Sequence, residues 1–358
     1  MYFENLTRYG FSPRFRQEAS AYEGLYPARV SEQHRELYKL IAETDELQAT
    51  VSGRLAFEAR SNADFPAVGD WVMIDRPDAA SGNAVIHHVL SRKSVFARKA
   101  AGTANDVQIV AANIDILFIC MSLNLNFNVR RLERYLSIAW ESMATPVVVL
   151  TKADLCAELP EKLMEVSAVC PGVDVLPCSS VTGSGFDAMR SYVQEGRTIA
   201  FIGSSGVGKS TLINHLMGME ALVTHTLSTD DKGRHTTTHR QLLLLPGGGI
   251  VIDTPGMREL QLESGSLSKS FEDVEALSAQ CKFSDCSHHT EPGCAIKRAI
   301  AEGILLQERF DSYKKLQNEL FREGKNARQI EQEKINRIFG GKNQMKQAMR
   351  AFKNKNKV

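Results

Sequence analysis

The chain has 358 residues, of which 43% are hydrophobic and 24% charged, and its formal net charge is +1. These values are ordinary for a globular protein of two or three domains, and they exclude a chain that is acidic or basic throughout. No apolar run is long enough to span a membrane and no secretory leader is visible, so we expect a cytoplasmic protein without a membrane partner. We also expect a monomer.

Short strand-like segments fill the region from 28 to 95, including 70–74 and 83–90, and turn residues separate them. Several short strands at this spacing predict a small β-barrel of the OB type, and we assign residues 1–95 to an N-terminal extension and this barrel. OB-type barrels commonly bind RNA or DNA on one face. A barrel that only packs against its neighbour remains an alternative, because fold does not dictate function.

Apolar strands alternate with helical segments from residue 113 onward. Residues 113–120 and 146–150 are near-continuous apolar runs, and 129–143 has apolar residues at helical spacing. This alternation predicts βαβ units and a parallel sheet. We assign residues 96–270 to this α/β domain.

A four-residue pattern follows the strand at 146–150. Thr151-Lys152-Ala153-Asp154 matches the guanine-reading pattern N/T-K-x-D, in which the carboxylate accepts hydrogen bonds from guanine N1–H and the exocyclic amine. It follows the carboxyl end of a strand, where ligands bind in open α/β sheets. Cys178-Ser179-Ser180, after the next strand, resembles the loop that supports the base. The sequence therefore predicts guanine recognition by Thr151, Lys152, Ala153, Asp154, Ser179 and Ser180.

The segment 203–211 fits the phosphate-binding pattern G-x-x-x-x-G-K-S/T without a departure, between an apolar strand and a helical segment. Glycines allow backbone N–H groups to surround phosphate oxygens, and the helix N-terminus adds positive potential. Lys209 is expected to reach the β- and γ-phosphates and Ser210 to ligate Mg²⁺. The predicted phosphate-binding residues are Gly203, Ser204, Ser205, Gly206, Val207, Gly208, Lys209, Ser210 and Thr211.

Two later segments complete the predicted GTP site. Asp253-Thr254-Pro255-Gly256 ends an apolar strand, with Asp253 expected in the Mg²⁺ shell and the Gly256 N–H on the γ-phosphate. The polar segment 233–240 contains three consecutive threonines, one of which is the candidate for a second Mg²⁺ hydroxyl ligand, and the sequence does not rank them. The candidate catalytic residues are Lys209, Ser210, Thr237, Thr238, Asp253 and Gly256, with Thr236 as the remaining threonine.

Three of the seven cysteines cluster near the C-terminus, while the other four are scattered in apolar or strand-like surroundings. This distribution is not a disulfide framework. The cluster has the spacing C-x₄-C-x-H-x₅-C, whose Cys₃His composition is typical of structural zinc. We predict one structural Zn²⁺ per chain on Cys281, Cys286, His288 and Cys294, with buried free thiols as the alternative.

The end of the chain is basic. From Gly340 onward it has no acidic residue and carries Lys342, Lys346, Arg350, Lys353, Lys355 and Lys357. Such a segment is attracted to a phosphate backbone, or else serves only as a solubilising tail. We assign residues 271–358 to a helical zinc-binding domain with this tail.

The order of these motifs along the chain is TKAD, GSSGVGKST, GRHTTTHR and DTPG, followed by CKFSDCSHHTEPGCAI. In the usual small GTPase the phosphate loop comes first, so the order here is rotated. Rotation is permissible because all these loops lie at one end of the same sheet. This arrangement resembles the circularly permuted bacterial GTPases that depend on the small ribosomal subunit.

The resemblance implies an N-terminal OB-fold, a permuted P-loop GTPase domain and a C-terminal zinc-binding domain. It also implies GTP hydrolysis with Mg²⁺, stimulated by the small (30S) subunit during the late maturation of that subunit, and binding to its rRNA. Thr151 departs from the Asn that is usual at that place, and we expect guanine specificity to be retained because Thr keeps a hydroxyl group.

Met257 occupies the position where Ras-like enzymes have a Gln that orients the attacking water. A thioether cannot orient water, so we expect slow intrinsic hydrolysis, with the missing group supplied by a partner or by a residue such as His235 or His239. A nucleotide-regulated RNA-binding module with negligible turnover is therefore one alternative. An ATP-using phosphotransferase is a second.

Overall fold

The computed structural model describes residues 3–34, 36–80, 82–99, 107–124, 127–218, 241–253 and 267–323. The chain divides into two compact units, Met1–Gln261 and Leu262–Val358. Within the described ranges, no helix combines the length and the apolar composition that crossing a membrane requires. The threonine segment, Gly256, Met257 and the basic tail lie outside the described residues.

The first unit begins with two short helices, α1 (Glu4–Arg8) and α2 (Pro13–Ala19). Phe11 and Phe15 are buried, and their ring centroids lie 4.8 and 5.8 Å from that of Trp71. Since Trp71 begins a strand of the barrel, these aromatic contacts hold the N-terminal extension against the barrel.

Five strands form a closed barrel in the order β1-β2-β3-β5-β4, with β4 paired back to β1. Neighbouring strands are antiparallel except for the parallel pair β3 and β5. The strands are β1 (Tyr26–Gln33), β2 (Tyr38–Ile41), β3 (Glu46–Val51), β4 (Trp71–Ile74) and β5 (Ala84–Val89), with helix α3 (Gly53–Glu58) after β3. In β3, Leu47 and Ala49 are buried and Glu46 and Gln48 are exposed, as period-two alternation requires. The predicted OB-type barrel is confirmed.

An antiparallel hairpin of β6 (Val95–Lys99) and β7 (Val107–Ala112) follows the barrel. The sequence did not predict it, because residues 91–99 appear as a basic segment rather than as an alternating strand. Gly69, just before β4, packs against β7 so closely that a Cβ would lie 2.2 Å from the carbonyl oxygen of Ala112. The hairpin therefore lies directly against the barrel.

The predicted parallel sheet has the order β10-β9-β8-β11-β13-β12, in which β12 alone runs antiparallel to its neighbour. Its strands are β8 (Ile116–Ser122), β9 (Thr145–Thr151), β10 (Asp174–Pro177), β11 (Thr198–Ile202), β12 (Gln241–Leu244) and β13 (Ile250–Asp253). The helices among them are α4 (Val129–Ser142), α5 (Leu159–Val169), α6 (Phe186–Arg190) and α7 (Lys209–Met217). All seven residues of β8 are buried, as in a sheet covered on both faces.

The strand order reverses between β8 and β11. From β8 the chain continues to β9 and β10 on one side, whereas β11 and β13 lie on the other side. In open α/β sheets, ligands bind outside the carboxyl ends of the strands at such a reversal. The phosphate loop follows β11 at this place.

The barrel and the parallel sheet are continuous, since Glu32 of β1 pairs with Gln241 of β12. Arg29 is buried at their junction, where its guanidinium donates to Thr198 Oγ1 at 2.8 Å and to the Gly69 carbonyl oxygen at 3.3 Å. Burial lowers the pKa of Arg29 to about 10, although the nearby Asp115 and Asp70 carboxylates act in the opposite direction. Even so, Arg29 remains a cation at neutral pH.

The second unit is helical in its described part. Its helices are α8 (Leu267–Ser270), α9 (Glu272–Ser278), α10 (Ala295–Ala301) and α11 (Gln307–Glu323). Arg309 of α11 donates to both carboxylate oxygens of Asp273 in α9, at 2.6 and 2.7 Å. The loop 281–294, which joins α9 to α10, contains the cysteine cluster.

Candidate functional site

The turn between β11 and α7 requires glycine at its first position. Gly203 has φ of +151°, and a Cβ there would lie 2.4 Å from the Cys120 carbonyl oxygen of β8. Gly206 and Gly208 have φ of +73° and +98°, a region that favours glycine. Of the four residues between Gly203 and Gly208, Val207 is buried and Ser205 is exposed.

Lys209 begins α7, and its side chain folds back over the loop. Its Nζ donates to the carbonyl oxygens of Gly203 at 2.7 Å and Ser204 at 2.8 Å. The ammonium is therefore held at the turn that cradles phosphates in this motif. Ser210 and Thr211 follow in the first turn of α7 and are partly exposed.

Two long-range hydrogen bonds fix the loop from the side of β8 and β9. The buried Thr151 hydroxyl donates to the Val207 carbonyl oxygen at 2.6 Å. The Arg131 guanidinium of α4 donates from Nη1 to Ser204 Oγ at 2.7 Å. Both donors precede the loop in the sequence by more than 50 residues. The hydroxyl that distinguishes Thr151 from an apolar residue thus stabilises the phosphate loop.

The guanine-reading segment lies at the carboxyl end of β9. Lys152 has φ of +59° and turns the chain into a short 3-10 helix, Ala153–Leu155. The Ala153 N–H donates to the Cys178 carbonyl oxygen at 3.1 Å, which attaches this segment to the loop after β10. Asp154 is exposed at the edge of the sheet.

The loop after β10 is closed by Ser179. Its buried hydroxyl accepts hydrogen bonds from the N–H groups of Val181 and Thr182, both at 3.2 Å. Ser180 is exposed beside it. Because β9, β10 and β11 all run in parallel within one sheet, the three predicted loops follow carboxyl ends at the same edge.

Asp253 ends β13, the strand next to β11. Burial raises the pKa of its carboxyl group, and the positive charge of Lys209 partly opposes this effect. A carboxylate together with the Ser210 hydroxyl is a hard oxygen donor set, which suits Mg²⁺. Thus Asp253 and Ser210 fit a magnesium ion, whereas Gly256, Thr236, Thr237, Thr238, His235 and His239 lie outside the described residues.

Sequence reasoning missed Arg131, and it gave Thr151 a role only in base recognition. Neither hydrogen bond follows from a local motif, since each depends on which elements the sheet order makes neighbours. Arg131 is the third residue of α4, and the Asn128 side chain caps that helix by accepting from the Arg131 N–H at 3.0 Å. This cap is a local signal for the start of α4, but it does not indicate that the start of the helix lies near the loop.

The predicted zinc ligands converge. One ligand atom from each of Cys281, Cys286, His288 and Cys294 lies within 4.8 Å of the others. His288 Nδ1 is 3.6 Å from Cys281 Sγ and 3.4 Å from Cys294 Sγ, and these two sulfurs are 4.0 Å apart. Tetrahedral zinc with ordinary bond lengths separates sulfur from sulfur by about 3.8 Å and sulfur from nitrogen by about 3.5 Å. The group therefore fits a zinc ion.

The surroundings of the cluster also suit a metal. Cys294 caps α10, and its Sγ accepts a hydrogen bond from the Lys297 N–H at 3.5 Å. Burial lowers the pKa of His288, which favours the neutral imidazole that a metal ligand requires. By contrast, burial raises the pKa of Cys120 to about 12 and of Cys178 to about 11, so these thiols are protonated core groups, as the sequence predicts.

Comparison with known proteins decides the family. A family model described as RsgA GTPase matches residues 89–263. Small ribosomal subunit biogenesis GTPase RsgA 2 of Lactiplantibacillus plantarum is 51% identical over 349 residues, which cover 97% of this chain and 98% of that protein. The chain belongs to the RsgA GTPase family. The enzyme class is therefore GTPase, as the motifs predict, and not ATP-using phosphotransferase.

Further matches to the RsgA family span most of the chain. Small ribosomal subunit biogenesis GTPase RsgA of Opitutus terrae is 45% identical over 86% of this chain and 87% of its own. A model described as ABC transporter also matches, at 186–358, a span that contains the phosphate loop shared by P-loop NTPases. Because identity to RsgA proteins extends over nearly the whole length of both chains, the RsgA family is favoured over the ABC transporter family.

Two solved structures share the fold. YjeQ from Thermotoga maritima matches with a TM-score of 0.62 and 26% identity over 83% of this chain and 99% of that one. YloQ, described as a circularly permuted GTPase, matches with a TM-score of 0.60 and 22% identity over 85% of this chain and 97% of that one. The predicted combination of OB-type barrel, permuted P-loop domain and C-terminal Cys₃His group is confirmed.

Proposed function

We propose that this GTPase is a late-stage maturation and checkpoint factor of the small ribosomal subunit, that it binds rRNA, and that the subunit stimulates its turnover. The observation that carries the proposal is 51% identity, over nearly the full length of both chains, to a protein named for small ribosomal subunit biogenesis. The OB-type barrel supports RNA binding, since this fold commonly presents a nucleic-acid-binding face.

In the proposed mechanism, the backbone N–H groups of 204–208 and the N-terminus of α7 surround the β-phosphate. Lys209 exchanges its carbonyl partners for oxygens of the β- and γ-phosphates. Asp154 accepts from guanine N1–H and the exocyclic amine, and Ala153, Ser179 and Ser180 support the base. Mg²⁺, held by Ser210 and Asp253, would neutralise charge on the phosphates.

The group that orients the attacking water is not Met257, because a thioether has no hydrogen-bond donor and is only a weak acceptor. We propose that the small subunit supplies or orders that group, which would make hydrolysis conditional on subunit binding. A module with negligible turnover is the second candidate, and Met257 is the feature that favours it.

The remaining assignments stand as parts of the same proposal. We retain 1–95, 96–270 and 271–358 as the three domains, with one structural Zn²⁺ on Cys281, Cys286, His288 and Cys294. A cytoplasmic monomer that binds GTP, GDP and the small subunit fits these assignments. The barrel, the second unit and the basic tail are the proposed rRNA-binding parts.

Affinity for isolated small subunits tests the proposal. We expect the chain to bind about tenfold more tightly with a non-hydrolysable GTP analogue than with GDP, because allosteric couplings typically span about 5–150-fold. Binding should be measured at one fixed salt concentration, since contacts with a phosphate backbone weaken as salt rises. Equal affinities in the two nucleotide states, or equal binding to large subunits, would contradict the proposed checkpoint role.

A further inference from the structure

We infer that Arg131 is a positioning residue that holds the front half of the phosphate loop ready for nucleotide. The inference rests on the nucleotide site of the proposed function and adds to it a residue outside every motif in the sequence. Its basis is the hydrogen bond from Arg131 Nη1 to Ser204 Oγ at 2.7 Å, which joins α4 to the loop across 73 residues of sequence.

Ser204 is held from two directions by cationic groups. Its hydroxyl accepts from Arg131, and its carbonyl oxygen accepts from the Lys209 ammonium at 2.8 Å. The residue before it, Gly203, lies in steric contact with β8. Together these three contacts determine the path of the chain as it leaves β11.

The rear half of the loop has its own support. The Thr151 hydroxyl donates to the Val207 carbonyl oxygen at 2.6 Å, and Val207 is buried in the core of the sheet. A small cavity, with room for about one water molecule, lies beside the loop, and its lining includes Cys120, Arg131, Tyr135, Ser204 and Val207. The loop is therefore not packed tightly on the side from which Arg131 contacts it.

Lys209 must divide its three N–H donors between the loop carbonyls and the nucleotide. Nucleotide binding draws its ammonium toward the phosphates, which weakens its hydrogen bonds to the carbonyl oxygens of Gly203 and Ser204. The Arg131 hydrogen bond is made to the Ser204 side chain and does not compete with the phosphates for the loop N–H groups. Arg131 is thus suited to keep the front of the loop in place while Lys209 changes partners.

The position of Arg131 on its helix supports this function. Asn128 caps α4 through the Arg131 N–H, so the backbone from which the guanidinium extends is itself fixed. The apparent affinity of a site is its intrinsic affinity multiplied by the fraction of molecules that are competent to bind, so pre-organising the site increases it. A loop that loses this support should bind GTP less well, but should catalyse normally once nucleotide has fixed it.

The test is a double-mutant cycle in the full-length chain, with affinity for a fluorescent GDP analogue and steady-state GTP kinetics as readouts. Arg131→Ala and Ser204→Ala should each weaken GDP binding by about three- to tenfold, because each removes a hydrogen bond to a charged group. The double variant should be no weaker than either single variant, since both changes remove the same contact. KM for GTP should rise while kcat stays within about twofold.

Arg190→Ala is the matched control. It also removes an arginine, but Arg190 pairs with the exposed Asp187 on the same helix, α6, and not with the phosphate loop. It should leave GDP affinity and the melting temperature unchanged, as exposed surface changes usually do. The other variants should melt within about 2 °C of the unaltered chain, which separates a loss of affinity from a loss of folding. Arg131→Lys, which keeps the charge but not the planar group, should recover only part of the affinity.

Three outcomes would overturn the inference. They are unaltered GDP affinity in Arg131→Ala, additive losses in the double variant, or a fall in kcat without a change in KM. Additive losses would mean that Arg131 acts on the nucleotide directly. If the unaltered chain bound no guanine nucleotide, the proposed function itself would fail, and that result is distinguishable from all three.

Discussion

Replacing Cys286 and Cys294 together by serine is expected to remove zinc from the chain and to unfold the loop 281–294 with its flanking helices. The unaltered chain should contain close to one Zn²⁺. The reason is that α9 and α10 each have seven residues, and helices of that length are not stable without tertiary support. Structural zinc supplies about 10–16 kcal/mol of folding free energy in isolated zinc-finger peptides near pH 7.

Metal analysis and hydrogen exchange of the full-length chain measure these effects. We expect fast exchange over 272–301, which includes α9, the loop and α10, in the double variant and unchanged protection over the barrel strands. Cys156→Ser is the control, because Cys156 lies in the first unit and outside the cluster, and its zinc content should equal that of the unaltered chain. Zinc content near zero in the unaltered chain, or unchanged in the double variant, would contradict the assignment.

Asp154→Asn is expected to remove the preference for GTP over ATP and to create one for xanthosine triphosphate. The amide loses the second acceptor that guanine N1–H and the exocyclic amine require, whereas its N–H₂ group can donate to the carbonyl oxygen of xanthine. Two hydrogen bonds to a charged acceptor support a loss of GTP affinity of about a hundredfold or more. Competition binding with the three nucleotides measures this change.

Asp187→Asn is a suitable control, since it makes the same substitution at a carboxylate that is almost fully exposed on α6. The Asp187→Asn variant should keep the nucleotide preference of the unaltered chain. If Asp154→Asn kept the preference for GTP over ATP, guanine would be read by another part of the chain. Asp154 is exposed in the short 3-10 helix after β9, so we expect the substitution to leave folding unchanged.

The parts of this structure that the sequence predicts are those governed by local rules. Alternation of buried and exposed residues indicates the barrel strands, and near-continuous apolar runs indicate β8, β9 and β11. The glycines at 203, 206 and 208 have backbone angles that the phosphate-loop pattern demands. Spacing alone also gave the four members of the Cys₃His cluster.

The parts that the sequence does not predict depend on which elements become neighbours. Arg131 meets Ser204 because α4 follows β8, the strand against which Gly203 packs. Thr151 contacts Val207 in the rear half of the same loop because β9, which ends at Thr151, lies next to β8 in the sheet. A pattern of residue types has no means of showing a contact across 56 or 73 positions.

The hairpin of β6 and β7 was missed for a different reason. Its first strand contains Arg98 and Lys99 without strict alternation, so a local pattern gives it no strand signal. Its partner strand and the nearby Gly69 fix its conformation. Likewise, spacing placed His288 in the Cys₃His group but did not show that its Nδ1 faces the cysteine sulfurs.

The central claim is a GTPase whose turnover depends on the small ribosomal subunit. The most direct measurement is the rate of GTP hydrolysis by the full-length chain as purified small subunits are added, compared with equal amounts of large subunits. Because Met257 leaves the attacking water without its usual partner, we expect slow hydrolysis by the chain alone and a stimulation of about tenfold or more by small subunits. A rate that small subunits do not change, or that large subunits raise equally, would contradict the account.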